Sequence, residues 1–373
     1  MRTLAIATVE TGSPSETFVR RHMDLLHPGK SIGIALRKTA GEETWKPLGP
    51  LHIVADHPPT MVDRIRMKLG WDTLPSRKAT LQFLKRYGAG VIMGEYLDVS
   101  HAFFIATREL RIPFFAHAHG YDISQRIRQP EWVSRYLDYR ECAGVITVSE
   151  HSRKILIGIG LPAGMIHTIP CSTDVPEELP DPPAHPGEIR CVAVGRMVPK
   201  KAPLLLLEAF RIAADQVPGL RLDFIGGGLL FEEASRFVID HRLADRVRLH
   251  GAQKSDYVKR YLSDADIFVQ HSRTDPETGD TEGLPVGVLE AMAQGIPVVS
   301  TRHAGIPEAV EEGATGLLGD EGDTEAMAES IVRLAKDESL RRRMGRAGWE
   351  RARERFTWHL ERQRLRTLMG LEE

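Results

Sequence analysis

The sequence has little cysteine: Cys142, Cys171 and Cys191 are the only three in 373 residues, and none forms a CxxC pair. An odd, sparse set argues against a disulfide framework and fits a reducing compartment. Long apolar runs are also missing. No stretch approaches the ~18 residues of a membrane span. The opening MRTLAIATVETGSPSE is too short for a signal segment and reads as a first β-strand, so a cytoplasmic location is expected. Charge of one sign is missing too: the net charge of −2 sets up no field that would gather nucleic acid. The fifteen histidines form no HExxH or similar cluster, so no metal site is expected. DAD (264–266) precedes a strand and reads as a helix end rather than a metal motif. HPGKS (27–31) has Asp24 where a Walker glycine would stand. No strand is followed by GxGxxG, which weighs against a dinucleotide-dependent oxidoreductase.

What is present is a regular alternation. In the first half, apolar runs at 4–8, 31–36, 90–94, 112–120 and 144–149 are separated by amphipathic stretches such as 16–26, 101–110 and 150–160. The second half repeats the pattern, with strand candidates at 190–195, 221–228, 246–251, 266–272 and 296–301. Helices are expected there at 203–216, 231–243, 255–263, 286–294 and 323–336. Strands separated by helices imply βαβ units and parallel sheets. Hydrophobic residues at 42% let each half bury its own core. Between the halves lies DVPEELPDPPAHPGE (174–188), whose five prolines predict an ordered but irregular linker. The arginine-rich tail reads as helix with a solvated face and no strong apolar seam. RIRMKLGW (64–71) reads as a surface helix packing its apolar side, with contact to a membrane surface as the minority alternative.

In open α/β sheets, ligands bind beyond the carboxyl ends of the strands. The densest cluster of polar and glycine residues in such a place is HSRTDPETGDTEGLPVGVLEAMAQGIPVVST (271–301). A polar loop ends at Glu282, Gly283, Leu284 and Pro285, and a helix is expected from about Pro285 to a stop at Gly295. A helix start next to a glycine suits a diphosphate. Glu282 precedes the helix and Glu290 lies two turns into it, each able to accept two sugar hydroxyls.

EGLPVGVLEAMAQGIPVVST resembles the EGxPxxxxEAMAxGxPVVxT signature of the family 4 retaining glycosyltransferases, with seven residues between its two glutamates. The resemblance implies the GT-B fold: two Rossmann-like doubly wound domains facing a central cleft. It also implies that Glu290 holds the donor ribose, that Glu282 lies near the transferred sugar, and that the amides of Gly283 and Leu284 face sugar and diphosphate. VGRMVPKKAP (194–203) matches the family's GRxxxxKG through Arg196 and Lys201, with Ala202 in place of the usual glycine. These cations would stabilise the departing diphosphate without a general acid. FIGGG (224–228) is a glycine-rich strand exit where Gly226 would let the nucleotide approach. In AHAHGYD (116–122), His119 matches the family's HG at a strand end and would contact the donor sugar, while His117 is the more buried neighbour. GSPSETFVRR (12–21) occupies the family's first phosphate loop, with Gly12 as its contact and SPSETF where many members have a Gly-Gly pair.

The expected division is residues 1–172, an acceptor-binding domain, and 173–373, a donor-binding domain whose last helix packs back on the first. The expected reaction is retaining transfer from a nucleoside-diphosphate sugar, UDP-linked on family frequency. The acceptor would be a sugar, lipid-linked or small-molecule hydroxyl, and no metal cofactor is expected. The alternatives are another nucleotide-sugar enzyme on this fold, such as an epimerase or phosphorylase, and more remotely the NAD-dependent oxidoreductase.

Overall fold

The computed structural model describes residues 2–11, 17–38, 46–69, 73–182 and 184–372. Gly12 and the loop through residue 16 lie outside the described residues. The chain divides into two compact units, Met1–Ile169 with Glu361–Glu373, and Pro170–Leu360.

The first unit is built on seven strands: β1 (Thr3–Thr11), β2 (Ser31–Lys38), β3 (Leu51–Ile53), β4 (Ala89–Glu95), β5 (Phe114–Ala118), β6 (Gly144–Thr147) and β7 (Ile166–Thr168). All pair in parallel in the order β3-β2-β1-β4-β5-β6-β7. The second unit has β8 (Ile189–Val194), β9 (Leu220–Ile225), β10 (Val247–Leu249), β11 (Ile267–Val269), β12 (Val298–Thr301) and β13 (Gly316–Gly319). Their order is β10-β9-β8-β11-β12-β13, again parallel. Both sheets are therefore doubly wound, with order reversing between β1 and β4 and between β8 and β11. Ligand crevices of such sheets open at those reversals.

Central strands read as continuous apolar runs because helices cover both faces. Leu4, Ala5, Ile6 and Ala7 of β1 are all fully buried, as are Ile267, Phe268 and Val269 of β11. Each sheet packs its helices through large side chains: Phe103, Phe104, Tyr136 and Tyr139 in the first unit, Leu206, Phe210 and Ile331 in the second. Each such burial contributes roughly 1.5–3 kcal/mol. Buried Tyr139 keeps its hydroxyl satisfied by donating to the Leu97 carbonyl at 2.6 Å.

Three strands were not anticipated: β3, β7 and β13. They are three or four residues long and lie at or next to sheet edges, too short for a period to show. The proline-rich stretch belongs to the second unit. Trp349 Nε1 donates to the Pro176 carbonyl at 3.1 Å and His185 Nε2 pairs with the Asp264 carbonyl at 3.0 Å. Asp264 caps the helix Ser255–Ser263, the helix end expected at DAD.

Two expectations fail. The tail does have a packed seam. In the helix Glu338–Arg355, Leu340, Met344, Gly345, Gly348, Trp349 and Ala352 are buried. A Cβ on Gly345 would fall 1.9 Å from the Gly295 carbonyl oxygen, and one on Gly348 would reach Met292 at 3.8 Å. Its few apolar residues, Leu340, Met344 and Trp349, are spaced among arginines and the two glycines complete the seam, so the hydrophobic pattern along the sequence is faint. Conversely, the helix Met61–Lys68 does not pack its apolar side: Met61 is 79% and Val62 64% exposed, and Ile65 is also exposed. Its buried residue is Asp63, which takes the backbone N–H of Thr60 in a capping box and the Lys78 N–H.

Candidate active site

In the second unit the site grows from the reversal between β8 and β11. β8 ends at Val194. Gly195 and Arg196 follow, then a short turn Pro199–Lys201, then the helix Pro203–Gln216. Ala202 caps that helix with φ of +38°, a left-handed conformation. That explains why a glycine is usual there: a Cβ costs roughly 1–2 kcal/mol in this region.

The two adjacent lysines separate. Lys200 is buried and pinned to the loop before the helix Val286–Ala293, with its Nζ 3.1 Å from Asp280 and donating to the Thr281 carbonyl at 3.0 Å. Lys201 pairs with Glu282 at 3.4 Å. Burial pulls the Lys201 ammonium below its ordinary pKa while Glu282 opposes it. Burial pushes the Glu282 carboxyl up, but Lys201, Lys200 and His303 together hold it below its usual value. The pair is thus ionised and largely dry. Arg196 is exposed at the same strand end and adds its charge to the field at Lys201. Gly195, Lys201, Gln270 and His271 line one small cavity at the ends of β8 and β11.

Gly283, Leu284 and Pro285 are buried. Pro285 is the cap residue and Val286 the first helical one, one position later than expected. Glu290 therefore lies just over one turn into the helix, not two. The helix ends with Gly295 at φ of +70° and the Ile296 N–H reaching the Ala291 carbonyl at 3.1 Å. Gly287 brings the helix start against β8, since a Cβ there would lie 3.3 Å from the Val194 carbonyl oxygen. Gly226 adopts φ of +153°, and a Cβ on it would fall 1.8 Å from the Gly195 carbonyl oxygen. Its close approach is to the backbone of the Arg196 loop, a packing reason the sequence reading did not foresee.

Three residues that sequence reasoning missed hold the loop. His303 Nε2 accepts the Glu282 N–H at 3.1 Å while its Nδ1 pairs with Glu321 at 2.6 Å. Glu321 also accepts the Thr274 N–H at 2.8 Å. His271 accepts the Gly322 N–H at 3.2 Å, and burial lowers its pKa to about 4, so it stays neutral. His271 and His303 each follow a strand, which was the available signal.

In the first unit, His119 follows β5. Asp122 holds the turn by accepting the N–H groups of His119, Gly120 and Leu97 at 2.9–3.1 Å. The His119 ring stacks near Phe18 and Tyr96, with centroids at 4.5 and 4.6 Å. Its Nε2 lies 2.8 Å from Glu95, a fully buried carboxylate at the end of β4. His117 is buried, with Nδ1 3.0 Å from the same carboxylate. His22 Nδ1 reaches it at 2.7 Å. Donor atoms of His22, Glu95 and His117 lie within 4.8 Å of one another, close enough in principle for a metal ion. A tetrahedral zinc would separate its ligand atoms by about 3.3 Å. The 2.7 Å contact of His22 is a hydrogen bond, and the His117 contact at 3.0 Å is also shorter than that spacing. The structure thus gathers Arg196, Lys201, Glu282, Gly283–Pro285 and Gly226 around one strand reversal, and places His119 on the other unit.

Two family models match the chain: Glycosyl transferases group 1 over residues 174–351 and Glycosyltransferase Family 4 over residues 40–176. The amylovoran biosynthesis glycosyltransferase AmsK of Erwinia amylovora is 36% identical over 226 residues, 59% of this chain and 54% of that protein. A GDP-mannose-dependent alpha-(1-6)-phosphatidylinositol monomannoside mannosyltransferase of Mycobacterium tuberculosis is 30% identical over 224 residues, 57% of this chain and 58% of that protein. The chain thus spans about half the length of the curated relatives it matches. Among solved structures, Anabaena HepE in complex with UDP superposes with a TM-score of 0.78 at 18% identity, covering 100% of both chains. Sucrose-phosphate synthase of Thermosynechococcus elongatus gives 0.74 at 21%, covering 99% of both. With two doubly wound parallel sheets and both family models matched across 40–351, the chain belongs to the group 1 and family 4 glycosyltransferases and carries their GT-B fold.

Proposed function

We propose that the chain transfers a sugar from a nucleoside-diphosphate sugar to an acceptor hydroxyl with retention of the anomeric configuration. The observation that carries this is the dry Lys201–Glu282 pair beside Arg196, where the helix Val286–Ala293 begins against β8. In the proposed reaction the bond from the sugar C1 to the β-phosphate oxygen breaks. Arg196 and Lys201 take up the charge that develops on the diphosphate. The helix start with Gly283, Leu284 and Pro285 binds the phosphates, and Glu290 takes the ribose diol. By the family resemblance, Glu282 and His119 would each contact the transferred sugar. The acceptor oxygen bonds C1 on the same face, and its proton passes to the leaving phosphate. With two cations in place the reaction needs no divalent ion, so chelation should leave the rate unchanged.

UDP is the proposed donor base, supported by HepE's complexes with UDP and UDP-glucose at the level of fold. The GDP-mannose-dependent relatives make GDP the competitor. The names of AmsK and of the colanic acid relative WcaL support an acceptor in polysaccharide assembly. A cytoplasmic site, where nucleotide sugars are supplied, fits this chemistry. None of the described helices is long and apolar enough to cross a membrane. Exposed Met61, Val62, Ile65 and Leu69 beside Arg64, Arg66 and Lys68 support contact with an anionic lipid surface.

The test is a thermal-shift panel with UDP, GDP, ADP and NAD on wild type and Glu290→Ala. A ligand at about 100 times its Kd stabilises by ~2.7 kcal/mol. A response to one nucleoside diphosphate that the variant loses supports the donor site and identifies the base. A response to NAD alone, or one that survives in Glu290→Ala, overturns it. Anomeric configuration of the product by NMR tests retention.

A further inference from the structure

Glu95 is an unusual residue to end a buried strand. Its side chain is fully enclosed, and three histidines from two segments converge on it: His22, His117 and His119, at 2.7, 3.0 and 2.8 Å. On the far side, His22 Nε2 meets Glu361 of the last helix at 3.2 Å. The result is a continuous line, Glu361–His22–Glu95–His119. It ends on the one ring that keeps part of its surface open, His119, whose side chain is 11% exposed. The next residue, Tyr96, holds φ of +63° and lays its ring 4.6 Å from that of His119. An aromatic residue in this conformation is an outlier of the sort found at functional sites.

We infer that Glu95 is a positioning residue: it fixes His119 as the tautomer protonated at Nε2, so that Nδ1 is presented as an acceptor to a hydroxyl of the donor sugar. The argument is proton bookkeeping. An ionised carboxylate only accepts, so each imidazole nitrogen hydrogen-bonded to Glu95 must carry hydrogen. His119 gives Glu95 its Nε2. A neutral ring has only one N–H, so Nδ1 is bare, and among the described residues nothing pairs with it. The charges agree. Burial lowers the His119 pKa to about 4, with His117 adding to the effect, so the ring is neutral at pH 7. Burial also works against the charge on His22, but Glu95 and Glu361 outweigh it and raise its pKa to about 10. The burial that would neutralise Glu95 is overcome by His117 and His22, which hold it well below the ordinary carboxylate range. His22 thus acts with His117 in keeping Glu95 ionised, and Glu361 secures His22. The groups facing Glu95 are thus His22 before β2, His117 and His119 on and after β5, and through His22 the carboxylate of Glu361.

The inference rests on the proposed reading of His119 as sugar-facing, and the experiment separates the two. The full chain, labelled with nitrogen-15 at histidine, is examined by long-range proton–nitrogen NMR at pH 7, with His119→Gln used for assignment. The expected spectrum has His119 protonated at Nε2 only and His22 at both nitrogens. In Glu95→Gln the amide can donate to Nε2, so the His119 tautomer should switch and kcat/KM for the donor should fall about tenfold to a hundredfold. The shift given by UDP or GDP should stay as in wild type. A wild-type His119 protonated at Nδ1, or Glu95→Gln with unchanged kcat/KM, overturns the inference. So does stoichiometric zinc in the purified protein, which would make the cluster a metal site. If Glu95→Gln does not fold, the wild-type spectrum decides alone. If the tautomer is as expected but no nucleotide sugar turns over, the enzymatic reading fails instead.

Discussion

Lys200 and Lys201 are neighbours in sequence but serve different carboxylates: Lys200 lies 3.1 Å from Asp280 and Lys201 3.4 Å from Glu282. One cation ties the loop down and the other is the one proposed to meet the leaving diphosphate. Lys201→Met should lower kcat by about 10²–10³-fold, because a preorganised charge at the leaving diphosphate is lost. Lys200→Met should instead destabilise the second unit by roughly 2–4 kcal/mol, since it strands a half-buried carboxylate. Steady-state kinetics beside urea unfolding would separate the two, and equal effects from both variants would refute the division.

Ala202 stands in a left-handed conformation that glycine adopts without strain. Ala202→Gly should stabilise the protein by about 0.5–1.5 kcal/mol, the strain relieved less the added freedom of the unfolded chain. Urea midpoints of the two proteins measure this. A loss of stability would mean the turn is not held as described.

Gly345 and Gly348 lie on one face of the tail helix, but only at Gly345 would a Cβ collide with backbone. Gly345→Ala places its Cβ on the Gly295 carbonyl and should cost about 1–3 kcal/mol. It should also weaken nucleotide binding, because the helix carrying Glu290 ends at that carbonyl. Gly348→Ala finds Met292 at 3.8 Å, ordinary contact, and should gain up to ~1 kcal/mol of helix propensity. Opposite signs in thermal melting are the expected outcome.

Stability should fall on both sides of neutrality. His22 has a folded pKa of about 10 against an ordinary 6.5, so its contribution is complete below pH 6.5 and is lost as pH rises through about 10. His119, His52 and His271 are held near 4, chiefly by burial. Their neutral forms favour folding above pH 6.5, and that advantage drains away as pH falls toward 4. Melting temperature against pH should show both slopes, and His22→Gln should flatten the alkaline one. An unchanged alkaline slope in that variant would show that His22 is not the group titrating.

Much of the second unit was legible because its information is local. Apolar runs of five or six residues between amphipathic stretches specify parallel strands under helices. The loop from Glu282 to Pro285 and the turn from Arg196 to Lys201 both follow strands, where a doubly wound sheet opens. The helix Val286–Ala293 was readable to within one residue from its proline and glycine. The edge strands β3, β7 and β13 were not, since three or four residues carry no period.

The sequence by itself determined the fold class, the family signature and the identity of the groups at the β8–β11 reversal, because each depends on residues within a few positions of one another. Tertiary structure alone decided the rest. His22 and Glu361 are 339 positions apart, Glu95 and His22 are 73 apart, and no pattern along the chain links them. His303 reaches Glu282 across 21 positions only because β12 lies beside β11. The tail was misread because its few apolar residues are spaced among arginines and its packed glycines add no hydrophobic signal, and the helix Met61–Lys68 because periodicity shows which residues share a face, not whether anything covers it.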